Sequence, residues 1–368
     1  MGLFSKSKLK FWIGLLVGVF FLGLAFWGQD FNAIGKALSE ANYLWLIPAL
    51  ASYFIGVGIR AIRWHYLLGP IQKVSARRLF PVVVIGYMAN NVLPVRMGEV
   101  VRAYVLDRRE GVRKTASLAT IVVERIMDGI TMLLFLSIVS LFVKVGTSIE
   151  GIEKIAAGVF LVGIILFFVV AHSREWMKQL ENFGLKFVPS TLRPKVAGLA
   201  DAFIDGLQVL RQWRDLLIVF LLSVVAWAFE GGMYWMVALA FSNLNLSFAA
   251  IFMTLAVANL ATLVPSTPGY VGPFDAAAKL VLVQVFAVSQ GLALSYVILL
   301  HAALYLPITL VGLYYWLTEH FSFKEADQLR AQNAQEKAEA KRAPELSSNF
   351  KLIHEAEPAP ATARSDDR

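Results

Sequence analysis

The sequence predicts an all-α polytopic integral membrane protein, with about six full spans plus two opposed re-entrant helical hairpins in an inverted-topology repeat. Three observations lead there. Of the 368 residues, 58% are hydrophobic and only 16% charged, and the mean hydropathy is +0.63, a balance unlike that of a soluble domain. Two long apolar stretches break at Asn, Pro and Gly before they reach the ~20 residues needed to cross a bilayer. Positive charge, finally, is crowded onto alternate connections.

The first span covers Phe11–Trp27, after a Lys-bearing segment, 1–10, that reads as a cytoplasmic N-terminus. Its length and its AFWGQD end, which lacks a small-x-small cleavage site, read as a retained span and not a signal peptide. A short polar segment, Gly28–Asn42, leads to a second span, Tyr43–Ile62, whose flanking Tyr43, Trp45, Arg60, Arg63, Trp64 and His65 read as interface anchors. Then comes FPVVVIGYMANNVLPVRMGEVVRAYVL, Phe80–Leu106. Its apolar start gives way to Asn90, Asn91, Pro94, Arg96, Gly98 and Glu99, which suit neither lipid-facing helix nor lipid-exposed loop. A third span, Ala116–Val143, carries Glu124, Arg125 and Asp128 early on; a fourth covers Ile155–Ala171. The polar connection 172–214 contains an amphipathic helix at Val196–Trp213. The fifth span, Leu216–Phe241, holds Glu230, and the sixth covers Leu292–Leu317. The charged tail, 318–368, ends in a segment of disordered composition.

Charge counting selects the topology. With the N-terminus in the cytoplasm, the inner segments 1–10, 60–78, 96–114 and 172–214 hold 21 Lys and Arg, and the outer loops hold three. Both flanks of 80–106 are basic, so both belong inside. A Pro-kinked full span would put one of them outside, whereas a hairpin returns the chain to the same side.

A second stretch, 249–286, repeats the pattern: an apolar run, Asn259 and Thr262, a Pro/Gly break at Pro265, Ser266, Thr267, Pro268, Gly269 and Gly272, then a shorter apolar run that opens with Asp275. MANNVLP (Met88–Pro94) aligns with VANLATLVP (Val257–Pro265). The order span, span, hairpin, span therefore occurs twice, in 11–143 and 155–317 of a membrane domain 11–317, with opposite starting sides. Inverted repeats of this kind place a binding site near the bilayer midplane, built from discontinuous helices.

Candidate site residues follow from cost. Intramembrane ions are usually paired or face water. Arg96, Arg102 and Arg125 offer guanidinium forks suited to phosphate, with Asn90, Asn91, Thr262, Ser266 and Thr267 as uncharged donors. The other reading is structural: Arg125 with Glu99, or Arg96 with Glu124, locking the hairpin to span three. Glu230 has three open roles, as partner of Lys279, as proton carrier or as a group facing water. Asp275 suits the N-terminus of the helix that leaves the second break.

No catalytic set is visible. There are no cysteines, and the five His (65, 172, 301, 320, 354) show no metal-ligand spacing. No phosphate-binding Gly-rich loop occurs. Neither a cofactor, a metal, catalytic residues nor a nucleic-acid partner is expected.

The signatures Asn91-Val-Leu-Pro94-Val-Arg96-Met-Gly98-Glu99-Val-Val-Arg102, Glu124-Arg125-Ile-Met-Asp128 and Pro265-Ser-Thr-Pro268-Gly269-Tyr-Val-Gly272-Pro-Phe-Asp275 resemble the flippase-like membrane family that includes the membrane domain of lysylphosphatidylglycerol synthetase. The family usually has a second Gly where Tyr270 stands and Glu where Asp275 stands. Only about 50 residues follow Leu317, too few for the soluble aminoacyl-transfer domain of the full synthetase, so aminoacyl transfer is not implied. The resemblance implies translocation of an anionic phospholipid or lipid-linked intermediate across a bacterial-type cytoplasmic membrane, with both termini inside. The alternative is an accessory subunit that presents lipid to a separate glycosyl- or aminoacyl-transferase in lipid or envelope-glycan modification.

Overall fold

A computed structural model describes residues 30–93, 97–143, 213–263 and 268–318, with isolated positions between 179 and 207. The expected spans at 11–27 and 155–171 and the tail after Thr318 lie outside these residues, as does nearly all of 172–214. The chain divides into two units, 1–107 with 112–320 and 108–111 with 321–368; the helix packing and the cavity belong to the first.

The regular secondary structure of the described residues is all helical, without strands. In order they form α1 (Phe31–Ser39), a 3₁₀ turn (Tyr43–Trp45), α2 (Leu46–Leu68), α3 (Ala76–Val92), α4 (Gly98–Glu110), α5 (Lys114–Ser140), α6 (Trp213–Leu239), α7 (Phe248–Ala261), a second 3₁₀ turn (Pro268–Tyr270), α8 (Pro273–Gln284) and α9 (Gln290–Thr318). Among the described residues three stretches are long and apolar enough to cross a membrane: Tyr43–Leu68, Arg214–Leu239 and Gln290–Thr318. At 27 residues α5 has the length as well, but it carries Glu124, Arg125 and Asp128. By contrast α3, α4, α7 and α8, of 17, 13, 14 and 12 residues, all fall short.

Local sequence explains the ends. Asp30 caps α1, accepting from the backbone N–H of Asn32 (2.9 Å) and Ala33 (3.2 Å). The segment expected to be merely polar is thus partly a helix, and Ile34 anchors it. Ser247 caps α7. The start of α8 combines three devices: Gly272 at φ +104°, Pro273 in the first turn, and Asp275 accepting from the Gly272 N–H at 2.9 Å. That is the structural role expected for Asp275.

The core is built on α2 against α6. Ser52 Oγ donates to the Phe229 carbonyl (2.6 Å), and a Cβ built at Gly56 would lie 3.1 Å from the Ala226 carbonyl. Small residues let the two backbones approach where lipid offers no hydrophobic drive. Around this pair the packing crosses over. The long helix after each break lies against the first arm of the other broken pair: α9 on α3, and α5 on α7. Phe135 of α5 meets Phe252 of α7 edge-on at 4.8 Å.

One expectation is corrected here. Arg60 and Arg63 do not sit at an interface as anchors. The helix continues past them to Leu68, and both are buried, Arg63 completely. They belong to the face of α2 that carries Tyr53, Gly56, Val57 and Trp64, and that face meets carboxylates on α5 and α6.

Candidate functional site

A cavity of about 680 Å³ opens between the two broken helix pairs. Both pairs line it, with Asn90, Asn91 and Glu99 from the first and Asn259, Thr262, Gly269 and Tyr270 from the second. The surrounding helices add Tyr53 and Arg60 (α2), Arg125, Asp128 and Met132 (α5), Trp227 and Glu230 (α6), and His301 and Tyr305 (α9). Its size suits a small-molecule or headgroup ligand.

Beneath one wall lies a buried ion network. Arg102 donates to both oxygens of Glu124, Nη1 to Oε1 at 2.8 Å and Nη2 to Oε2 at 3.1 Å. Arg63 joins Glu124 (3.3 Å) to Asp128 (2.5 Å) and also donates to Ser223 Oγ (2.7 Å). Arg125 pairs with Glu124 and with Asp128, the latter at 3.1 Å. Trp227 Nε1 donates to Asp128 at 2.8 Å. Three guanidiniums therefore share two carboxylates, one positive charge in excess. Their Nε atoms make no hydrogen bond. Only Arg125 is appreciably open, its side chain 37% exposed against 1% for Glu124 and 0% for Arg63. A separate pair, Arg60 with Glu230 at 2.7 Å, stands nearby. Arg60 lies 4.5 Å over the Trp227 ring and Arg102 4.1 Å over Trp64.

Side chains finish both breaks. Asn90 Oδ1 accepts from the Gly98 N–H (2.7 Å), capping α4 from across the gap, while its Nδ2 donates to Glu99 at 3.4 Å. Gly98 lies so close to Gly86 that a Cβ there would collide with the Gly86 carbonyl and the Asn90 side chain. Asn91 donates to Thr309 Oγ1 (2.8 Å), and Tyr305 OH donates to the Asn91 carbonyl (2.9 Å). At the second break Gly269 and Tyr270 take left-handed backbone angles, φ +72° and +63°. That is ordinary for Gly and costly for Tyr. His301 contacts Asp275 Oδ1 (2.7 Å) and the Gly269 carbonyl (2.9 Å).

Of the residues expected at a site, Asn90, Asn91, Glu99, Arg125, Asp128, Glu230, Asn259, Thr262 and Gly269 line one cavity. Arg102, Glu124, Gly98, Gly272 and Asp275 do not. Arg102 is taken up by Glu124, so it is no free phosphate donor. Arg125 takes Glu124 and Asp128 in place of Glu99, and Glu230 takes Arg60 in place of Lys279. Pro94, Arg96, Pro265, Ser266 and Thr267 lie outside the described residues, and Pro268 is described only as backbone. Sequence reading missed Arg60, Arg63, Trp227, His301 and Tyr305. The clue for Arg60 was available: it stands three and four residues from Val57 and Gly56 on an apolar face, where an unpaired cation is too costly to leave.

A model of the family described as "Lysylphosphatidylglycerol synthase TM region" matches residues 11–312. Among curated relatives, glycosyltransferase AglD of Haloferax volcanii is 25% identical over 328 residues, 81% of this chain and 52% of that protein. The chain thus spans about half the length of that relative. A UPF0104 membrane protein of Methanothermobacter thermautotrophicus is 22% identical over 257 residues, 66% of this chain and 76% of that protein. Another, MJ1078 of Methanocaldococcus jannaschii, is 26% identical over 244 residues, 64% of this chain and 96% of that protein. No solved structure matches.

Proposed function

The chain belongs to the lysylphosphatidylglycerol synthase TM region family, and from that premise we propose that this multi-pass membrane protein translocates an anionic phospholipid or lipid-linked intermediate across a cytoplasmic membrane. The observation that carries the reading is the cluster of Arg63, Arg102 and Arg125 over Glu124 and Asp128, whose excess charge reaches the cavity through Arg125 alone. Such a cluster attracts a phosphate without leaving an isolated ion when the headgroup departs. The two breaks supply short helices and capped ends where a headgroup passes, and the apolar lining suits acyl or prenyl chains. In this reading the breaks are re-entrant hairpins that enter from opposite faces, in inverted repeats, with both termini in the cytoplasm.

Reconstitution into vesicles with labelled anionic phospholipids or a polyprenyl-phosphate sugar tests it. Movement between leaflets is expected, with Arg125→Ala lowering the rate about tenfold, the value of one charged hydrogen bond. No movement of either lipid under any imposed gradient would overturn the reading. Because the chain lacks cysteine, single cysteines test the topology: those at 91–98 are expected to label from the cytoplasm and those at 262–272 from outside.

Similarity to a protein named a glycosyltransferase favours a second reading, a subunit that presents lipid to a separate transferase. Copurification with such an enzyme, and loss of its activity on removal of this chain, is the outcome that would select it.

A further inference from the structure

His301 has acceptors on both sides. Nδ1 stands 2.7 Å from Asp275 Oδ1, and Nε2 stands 2.9 Å from the Gly269 carbonyl oxygen. A carbonyl cannot donate, so Nε2 carries hydrogen. A neutral imidazole then leaves a lone pair on Nδ1, facing a carboxylate. The 2.7 Å contact therefore needs one more proton. It sits either on the ring, giving imidazolium and carboxylate, or on the carboxyl, giving an O–H donated to Nδ1. Both descriptions hold one proton more than neutral His beside ionised Asp. Asp275 cannot simply turn away, because its other oxygen caps Gly272 N–H at 2.9 Å.

We propose that His301 and Asp275 form a proton-binding site whose occupancy fastens the second helix break to α9. When the proton leaves, two lone-pair-bearing atoms face each other in a buried setting, and a bond becomes a repulsion. The consequence reaches both breaks. One helical turn from His301, Tyr305 packs its ring against Gly269 and donates to the Asn91 carbonyl at the end of α3. The proton thus sets how firmly α9 holds the second break, on the same face that holds the first.

The other groups around this end of the cavity do not take over the role. Tyr270 comes from the turn, Tyr87 from α3, Tyr53 and Arg60 from α2, Glu230 from α6, Arg125 and Asp128 from α5 and Glu99 from α4, while α1 contributes no lining residue. Arg60 with Glu230, and Arg125 with Asp128, are already paired. Among the lining residues His301 is the one imidazole, the side chain that titrates near neutrality. A part in driving transport rests on the translocation reading; proton binding does not.

The full chain in nanodiscs, with ¹⁵N-labelled histidine, tests the site directly. His301→Gln identifies the signal. The ring is expected to hold its extra proton at low pH and to lose it across a definite range as the pH is raised. A single cysteine at Val271 reads the fastening. Its labelling, relative to a single cysteine at exposed Leu313, is expected to rise about tenfold over that range, one charged hydrogen bond's worth. Asp275→Asn is the decisive variant, because its amide can donate to Nδ1 with no added proton while its oxygen still caps Gly272. It should hold His301 as the neutral Nε2–H tautomer and flatten the labelling profile at the protected level. A ring that stays neutral throughout, or Val271 labelling that tracks the reference, would overturn the proposal, as would Asp275→Asn loosening the break. A protein that moves no lipid yet shows this titration removes the transport reading alone.

Discussion

In the first broken pair the returning arm offers Arg102 to Glu124, on the long helix that comes after it; in the second it offers Asp275 to His301, again on the next long helix. The two ties occupy corresponding places, with the polarity reversed. An arginine does not give up its proton at any pH a cell reaches, so the first tie is permanent. A His–Asp tie is not. The first pair is backed by Arg63, Arg125 and Asp128, whereas in the second, among the described residues, His301 meets the Asp275 carboxylate and the Gly269 carbonyl. One half of the molecule is therefore built to stay assembled and the other to respond.

Breaking the permanent side should produce the largest effect. Glu124→Ala would leave Arg63, Arg102 and Arg125 facing one another with only Asp128 between them. Removing one partner of a buried ion pair costs ~3–5 kcal/mol, and this carboxylate serves three. The expected outcome is loss of monodisperse protein from detergent extracts. Arg102→Ala, which leaves Glu124 with two partners, should be milder. Equal yields for the two variants would show that Glu124 is not the hub.

Next in size is the close approach that holds the first pair together. Gly98→Ala would drive a Cβ into the Gly86 carbonyl and the Asn90 side chain, so α3 and α4 must part. Overpacking of this kind costs ~1–3 kcal/mol, and the Asn90 cap on Gly98 N–H would be strained with it. A drop in thermal stability and faster labelling of a single cysteine at Val100, which is exposed on α4, are the expected readouts. Unchanged values for both would remove the Gly86–Gly98 contact as the fastening of the first pair.

How legible these ties were in the sequence differs between the halves for a physical reason. Composition and the failed apolar runs announced the broken helices, because a charged or Pro/Gly residue at membrane depth is costly enough to be conspicuous. Glu124, Arg125 and Asp128 stood out for the same cause. Arg60 and Arg63 did not, since a basic residue at the end of an apolar run reads equally as an interface anchor; only the helix continuing to Leu68 places them inside. His301 was invisible because a lone imidazole in an apolar helix carries no pattern. Its partners lie 26 and 32 residues away, joined by tertiary packing that no local spacing encodes. Asp30 and its helix were missed because α1 is nine residues of mixed polarity, too short for periodicity to outweigh its polar letters.

The smallest expected effect sharpens the comparison at the second break. Tyr270 holds a left-handed backbone angle, φ +63°, at the position where the resembled family carries Gly. Such a conformation costs ~1–3 kcal/mol for a bulky residue. Tyr270→Gly relieves that strain, loses the packing of a half-buried ring, and spends ~0.5–1 kcal/mol of extra chain entropy. These contributions oppose one another, so thermal stability should barely move. The ring lines the cavity, however, and its removal widens the passage beside Gly269 without touching the His301–Asp275 contact. The variant should therefore accept bulkier headgroups in the vesicle assay while keeping the pH profile of Val271→Cys labelling. A changed profile with unchanged lipid selectivity would place Tyr270 in the fastening and not in the cavity wall, and would make the left-handed turn itself, not the proton alone, what holds the second break shut.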